Sequence, residues 1–279
     1  MLRTAGRGSI TGQDEVDWDA RFTLHCGGAQ RHVSHGTRRG EASATGGGRA
    51  SGDSGAPDIL PGANPNNPYH RAAGFYERGL SLPVISAIRR QEARAVGNLI
   101  SRYADPSYRA LEVGPGTGFY TLGLAREFGE VVAVEDSAPM AEILQGKLRA
   151  AKADNVTVIT RDFLTMDADA SFDVAVAIGV LDYVSDPVTF VAKMCSLARR
   201  AVIFTAPRRG LWGWCFVTGN RLRGTTVYCY DHEALRQWAP GWRCIAEEVG
   251  MKTPVTRGLT LVAALERRES ASPAAPRRQ

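Results

Sequence analysis

Eleven residues, Ala110-Leu111-Glu112-Val113-Gly114-Pro115-Gly116-Thr117-Gly118-Phe119-Tyr120, constrain this chain more than any other stretch. A short apolar run carries an acidic residue near its end. Three glycines follow at alternate positions. An amphipathic pattern then begins at Leu122, Leu124, Ala125 and Phe128. This change of period predicts a strand, a tight turn and a helix. Glycine is required where the backbone takes positive φ or comes close to a ligand. The helix start behind the turn offers backbone N–H groups without intrahelical partners.

Dinucleotide-binding turns have the spacing G-x-G-x-x-G, whose third glycine lets helix and strand pack closely. Here the glycines are at 114, 116 and 118, and Phe119 stands where that third glycine would be. The spacing G-x-G-x-G with Glu112 just ahead resembles the first motif of class I S-adenosylmethionine (SAM)-dependent methyltransferases. The bland alternative is an ordinary glycine-rich strand-to-helix turn. The resemblance implies that Gly114, Gly116 and Gly118 approach the methionine part of SAM and that Glu112 lies near its amino group.

The chain downstream extends the pattern. Val131-Val132-Ala133-Val134 reads as a buried parallel strand and ends in Glu135-Asp136. Glu135 lies about twenty residues past the first glycine, where an acidic side chain can accept hydrogen bonds from ribose hydroxyls. Ser137 is a candidate cap for a helix over 139–152, with Pro139 in its first turn. Residues 155–159 read as a third strand, followed by Asp162-Phe163; a loop Asp in this position can also cap its own backbone. Phe172 to Ile178 is a fourth strand, and Gly179-Val180-Leu181-Asp182-Tyr183 follows it. Ligands in open α/β sheets bind beyond the carboxyl ends of the strands, so this segment should border the reacting centre. By family resemblance, Met140 packs under adenine, Asp162 lies near the adenine amino group, Phe163 lies beside the ring, and Gly179 borders the sulfonium. DNA-adenine and glutamine methyltransferases carry Asn/Asp-Pro-Pro-Tyr/Phe after the fourth strand. This chain does not, which argues against those acceptors.

The fold expected is α/β: a Rossmann-like, seven-stranded, mostly parallel sheet with an antiparallel last strand, helices on both faces and a helical N-terminal cap. Residues 1–62 are dominated by Gly, Ser, Ala and Arg without apolar periodicity, and are expected to be a disordered low-complexity segment. The cap is expected over 63–105, with Ile85, Ile88, Val96, Leu99 and Ile100 on the buried face of its helix. The SAM-binding core spans 106–266, and 267–279 is a flexible tail. Gly129 is expected to end the first core helix in a left-handed conformation. A helix over 187–199 should bury Val188, Val191, Met194 and Leu197. A fifth strand covers 201–205, Asp231 caps a short helix, and the last two strands fall at 244–248 and 259–265.

The five cysteines are scattered, with no C-x-x-C pair and no histidine at metal-ligand spacing, so neither a disulfide framework nor a metal site is expected. No apolar leader is seen, and the expected compartment is the cytoplasm. From Pro187 to Tyr230 there is no Asp or Glu, while Lys193, Arg199, Arg200, Arg208, Arg209, Arg221 and Arg223 all fall there.

Methyl transfer from a sulfonium is an in-line displacement that depends on positioning. A hydroxyl acceptor benefits from a base; a carboxylate acceptor needs none. Candidate bases or orienters are Asp182, Tyr183, His70 and His232, the last following the cap residue Asp231 at an exposed helix start. The function expected is a SAM-dependent methyltransferase acting on a small organic molecule, O-methylation favoured. A non-catalytic SAM-binding partner protein and an NAD-dependent oxidoreductase are the alternatives. Residues 207–223 mix aromatics with arginines, which suits an acceptor pocket, a peripheral membrane contact or a solvated lid. A net charge of +5 is too weak to favour nucleic acid.

Overall fold

The computed structural model describes residues 83–167, 171–222, 224–249 and 259–267. The expected low-complexity segment, the first part of the cap with His70, and all but the first residue of the expected tail lie outside the described residues.

Helix α1 (Pro83–Tyr103) opens the described chain. There follow β1 (Arg109–Val113), α2 (Thr121–Glu127), β2 (Glu130–Glu135), α3 (Ala138–Ala151) and β3 (Val156–Thr160). After these come β4 (Phe172–Ala177), α4 (Pro187–Leu197), β5 (Ala198–Pro207), α5 (Leu211–Leu222), α6 (His232–Gln237), β6 (Trp242–Val249) and β7 (Thr260–Arg267). Two single 3-10 turns, Phe163–Thr165 and Leu181–Tyr183, follow β3 and β4.

The seven strands form one sheet in the order β3-β2-β1-β4-β5-β7-β6. All neighbouring pairs are parallel except those made by β7, which runs antiparallel to both β5 and β6. The expected Rossmann-like architecture with one reversed strand is the one observed. Strand order turns back at β1, whose neighbours are β2 and β4, and crevices for ligands open at such points.

Alternating side chains of the central strands serve two cores. Ala110, Val174, Val176 and Ile203 face α1 and α2 through Val96, Ile100, Leu124 and Phe128. Leu111, Val113, Ala175, Ala177 and Phe204 face α4 and α6 through Val191, Met194, Leu235 and Trp238. Helix α3 packs on β2 through Leu144 and Leu148 against Ala133. The cap helix is latched to the sheet by Glu266 of β7, which accepts from the Tyr103 hydroxyl and pairs with Arg102 at 3.3 Å.

Several local expectations are corrected. Gly129 is not left-handed. A Cβ there would meet the Pro106 carbonyl at 2.3 Å, so the residue is small because backbone passes beside it. Ser137 occupies the N-cap position of α3 without a side-chain cap bond. Val188 is 51% exposed; Phe190 takes its place in the buried face of α4, because Pro187 and Val188 form the helix's first, solvent-facing turn. Segment 207–223, to which the sequence pattern assigns no element, contains a regular helix, α5. The Asp231 cap is present, its Oδ1 accepting from the Ala234 N–H at 2.9 Å.

Candidate active site

The turn from β1 into α2 takes its shape from three left-handed residues, Gly114 (φ 65), Gly116 (φ 57) and Gly118 (φ 87). Two of them also have no room for a side chain. A Cβ on Gly114 would lie 2.5 Å from Val180 Cγ2, and one on Gly118 would lie 2.4 Å from Leu144 Cδ1. The turn is thereby wedged between the loop after β4 and helix α3. Gly114 N–H donates to the Val134 carbonyl at 2.8 Å, which carries the β1–β2 ladder into the turn.

Glu135 ends β2 directly opposite this turn. Its Oε2 accepts from the Gly116 N–H at 2.8 Å and its Oε1 from the Ser137 N–H at 2.9 Å. Each oxygen retains acceptor capacity. Burial pushes the carboxyl up to about 7 against the pull of the Ser137 and Gly116 N–H groups, with the neighbouring Asp136 adding to the rise. Glu112 stands on β1, two residues ahead of the turn. It is 3% exposed, and its Oε2 has no hydrogen-bond partner among the described residues. Burial pushes it up to about 8; the Thr121 hydroxyl pulls the other way, and the Glu135 charge adds to the rise. The two carboxyls therefore sense each other at adjacent strand tips. A buried acid without a partner costs stability in isolation and suits a site that a cation or donor completes.

The far wall follows β4. Gly179 is left-handed (φ 70), its N–H donates to Thr205 Oγ1 at 2.8 Å, and the space a Cβ would occupy is open. Asp182 and Tyr183, both half-buried, lie in the 3-10 turn Leu181–Tyr183. That turn is fixed from the segment after α5. The Tyr228 N–H donates to the Asp182 carbonyl at 2.8 Å, and the Tyr230 hydroxyl donates to the Val184 carbonyl at 3.1 Å. Burial pushes the Asp182 carboxyl up to about 7; the Glu92 charge on α1 adds to this and Arg89 opposes it. Arg89 and Glu92 form a pair at 3.8 Å.

Residues 110–201 match the family model described as a methyltransferase domain. The segment that carries the glycine turn and both buried acids is thus similar to a methyltransferase domain. Ribosomal RNA small subunit methyltransferase A of Desulforapulum autotrophicum is 35% identical over 99 residues, which is 34% of this chain and 35% of the relative. A probable dimethyladenosine transferase of Dictyostelium discoideum is 40% identical over 97 residues, 34% of this chain and 29% of the relative. The chain thus spans about a third of the length of the curated relatives it matches. A crystal structure of magnesium protoporphyrin IX methyltransferase from Synechocystis PCC 6803 with bound S-adenosylhomocysteine aligns with a TM-score of 0.58 at 18% identity. It covers 71% of this chain and 96% of that one, a likeness of fold.

The structure brings Glu112, Gly114, Gly116, Gly118, Glu135 and Met140 together. Met140 is buried, and its Sδ is 3.7 Å from where a Gly116 Cβ would stand. Gly179 and Asp182 lie across the turn, joined to it through the Val180–Gly114 contact. Asp162 and Phe163 are differently engaged. Asp162 Oδ1 accepts from the Leu164 N–H at 2.8 Å, capping its own turn. Phe163 is 4% exposed, with its ring 5.0 Å from Phe190 in the core below. Thr205, Tyr228, Tyr230, Glu92 and Arg89 shape the β4 side, and sequence reasoning did not find them. They lie on elements remote in the chain from the motifs, so no local spacing could announce them.

Proposed function

We propose that this chain is an enzyme that transfers a methyl group from SAM to a small organic acceptor, with an oxygen acceptor favoured. The observation that carries the reading is the pair of buried carboxylates around the glycine turn, one with an oxygen left unpartnered. Bound SAM would supply an electrophilic methyl on a sulfonium. The residues present fit such a group. Glu112 would face the cationic methionine end and Glu135 the ribose hydroxyls, each oxygen of Glu135 adding a charge-assisted bond to the one it already accepts. Met140 would pack under adenine, with Asp162 and the turn it caps at the rim, while Phe163 supports that turn from the core below. The left-handed backbone of the turn admits the ligand where side chains would block it.

On the β4 side, Gly179 leaves room for the reacting groups. Asp182 would hold the acceptor and take its proton, since a carboxyl near pH 7 is matched to that task. Tyr183 would orient the acceptor beside it. Holding the acceptor in line with the methyl is the larger contribution, on the order of 7–11 kcal/mol for well-aligned reactants.

A second reading, methylation of adenine in RNA, is favoured by the names of the two curated relatives. Against it, Gly179-Val180-Leu181-Asp182-Tyr183 lacks the Asn/Asp-Pro-Pro-aromatic segment associated above with adenine acceptors. The full chain incubated with labelled SAM and, in parallel, a small-metabolite extract and ribosomal RNA separates the two. Label in a small molecule supports the proposal, label in RNA supports the second reading, and label in neither leaves a SAM-binding partner protein. Calorimetry with SAM and with NAD tests the cofactor; binding of NAD alone would overturn both.

A further inference from the structure

Helix α5 is amphipathic in the opposite sense from the other helices. Gly213 is its one buried residue. A Cβ at Gly213 would lie 2.5 Å from the Arg208 carbonyl and 3.2 Å from Cys229 Sγ, so the helix rests on the body through bare backbone. The side turned away is apolar. Leu211, Trp214, Cys215 and Leu222 fall at the i, i+3, i+4 and i+11 positions of one exposed helical stripe, with the half-buried Thr218 between them. Leu211 and Trp214 are each 66% exposed and Leu222 is 84% exposed, with Trp212 at the flank at 45%. Such a stripe normally faces a core; here it faces solvent.

The charges around it have one sign. Arg208 and Arg209 precede the helix, Arg221 sits in its last turn, and no acidic residue occurs between Pro187 and Tyr230. At this edge Arg209 pairs with Asp231 at 3.5 Å across an exposed contact. Large aromatic and aliphatic side chains on one face, with arginines at both ends, match the interfacial zone of an anionic bilayer. A second copy of the chain fits less well. A twelve-residue helix is about 18 Å long and about 10 Å across, so one face offers roughly 200 Å² against the ~800 Å² per partner of a stable interface. No helix among the described residues is long and apolar enough to cross a membrane, so the contact is a surface one.

We propose that the exposed face of α5 docks this protein on an anionic lipid surface, with Leu211, Trp214 and Leu222 entering the acyl boundary and Arg209 and Arg221 lying at the phosphates. The proposal does not depend on which acceptor is methylated, or on methyl transfer at all.

The test is co-sedimentation of the full chain with vesicles of phosphatidylcholine alone and of phosphatidylcholine mixed with phosphatidylglycerol, alongside tryptophan emission. The expected result is pelleting and a blue shift with the anionic vesicles, weakened by salt. Trp214→Ser and Leu222→Ser should each lower vesicle affinity about tenfold or more, with melting temperature and SAM affinity unchanged, since both side chains are exposed. Arg209→Ala with Arg221→Ala should remove the preference for anionic lipid. Wild-type protein left in the supernatant, or variants that pellet as well as wild type, would overturn the proposal. So would retention of α5 on RNA, or a dimer broken by Trp214→Ser, if either came without vesicle binding.

Discussion

One carboxylate, Glu135, holds the floor of the crevice. It accepts from Gly116 in the turn and from Ser137 at the start of α3, and so ties two walls together before any ligand arrives. Replacing it by alanine should weaken SAM binding by about 1.5–3 kcal/mol, the range for a hydrogen bond to a charged group; titration calorimetry reads this directly, and unchanged affinity would refute the ribose role. Asp182 lies at the other wall. If it takes the acceptor's proton, the wild-type rate should rise with pH through about 7, where its carboxyl ionises. Asp182→Asn should abolish that rise and lower kcat by roughly a hundredfold or more, with SAM affinity retained.

At the scale of elements, the tips of β1 and β2 bring two acids into one buried space. Glu112 in the folded state is raised from 4.5 to about 8, so the folded protein holds a proton that the unfolded chain releases between those values. A raised folded pKa contributes stability that is present below pH 4.5 and lost as pH rises through 8. Ligand-free protein should therefore melt at lower temperature at pH 9 than at pH 6, and Glu112→Gln should flatten that dependence. Binding of a cationic ligand at Glu112 should expel the proton. Calorimetry near pH 7 in two buffers of different ionisation heat should then give different apparent enthalpies. The turn between these strands is equally demanding. Gly118→Ala combines a left-handed backbone with a Cβ 2.4 Å from Leu144, and should cost about 1–3 kcal/mol in thermal unfolding.

For the whole molecule, the sheet is the rigid body that holds the two walls in register. Phe204 on β5 is fully buried, its ring 5.8 Å from Trp238, between the central strands and the segment that carries α6. Phe204→Ala should destabilise the fold by about 3–5 kcal/mol, measurable by denaturant titration, through the cavity it leaves. The loss should fall on stability rather than on the chemistry, because Phe204 faces the core on the α4 and α6 side.

The local code of this chain fixed its local structure. Alternating glycines, β-branched runs and prolines in first helical turns are short-range signals, and they located the central strands, the turn and the acids Glu112 and Glu135 at strand tips. Expectations failed where a distant element set the environment. Ser137 has capping chemistry, but its hydroxyl makes no cap bond. Gly129 is small for the sake of the Pro106 carbonyl. Val188 follows the helical period yet points into solvent. The composition of α5 identified an aromatic, basic segment, but only the fold decided that its apolar stripe faces outward, because Gly213 alone fits against Arg208 and Cys229. The same holds for Asp182, whose raised pKa comes from burial and from a charge on α1, a helix that lies about ninety residues earlier in the chain. Spacing along a chain reports what a residue can do; burial and the charges brought in from elsewhere decide what it does, because desolvation and Coulomb forces act through space.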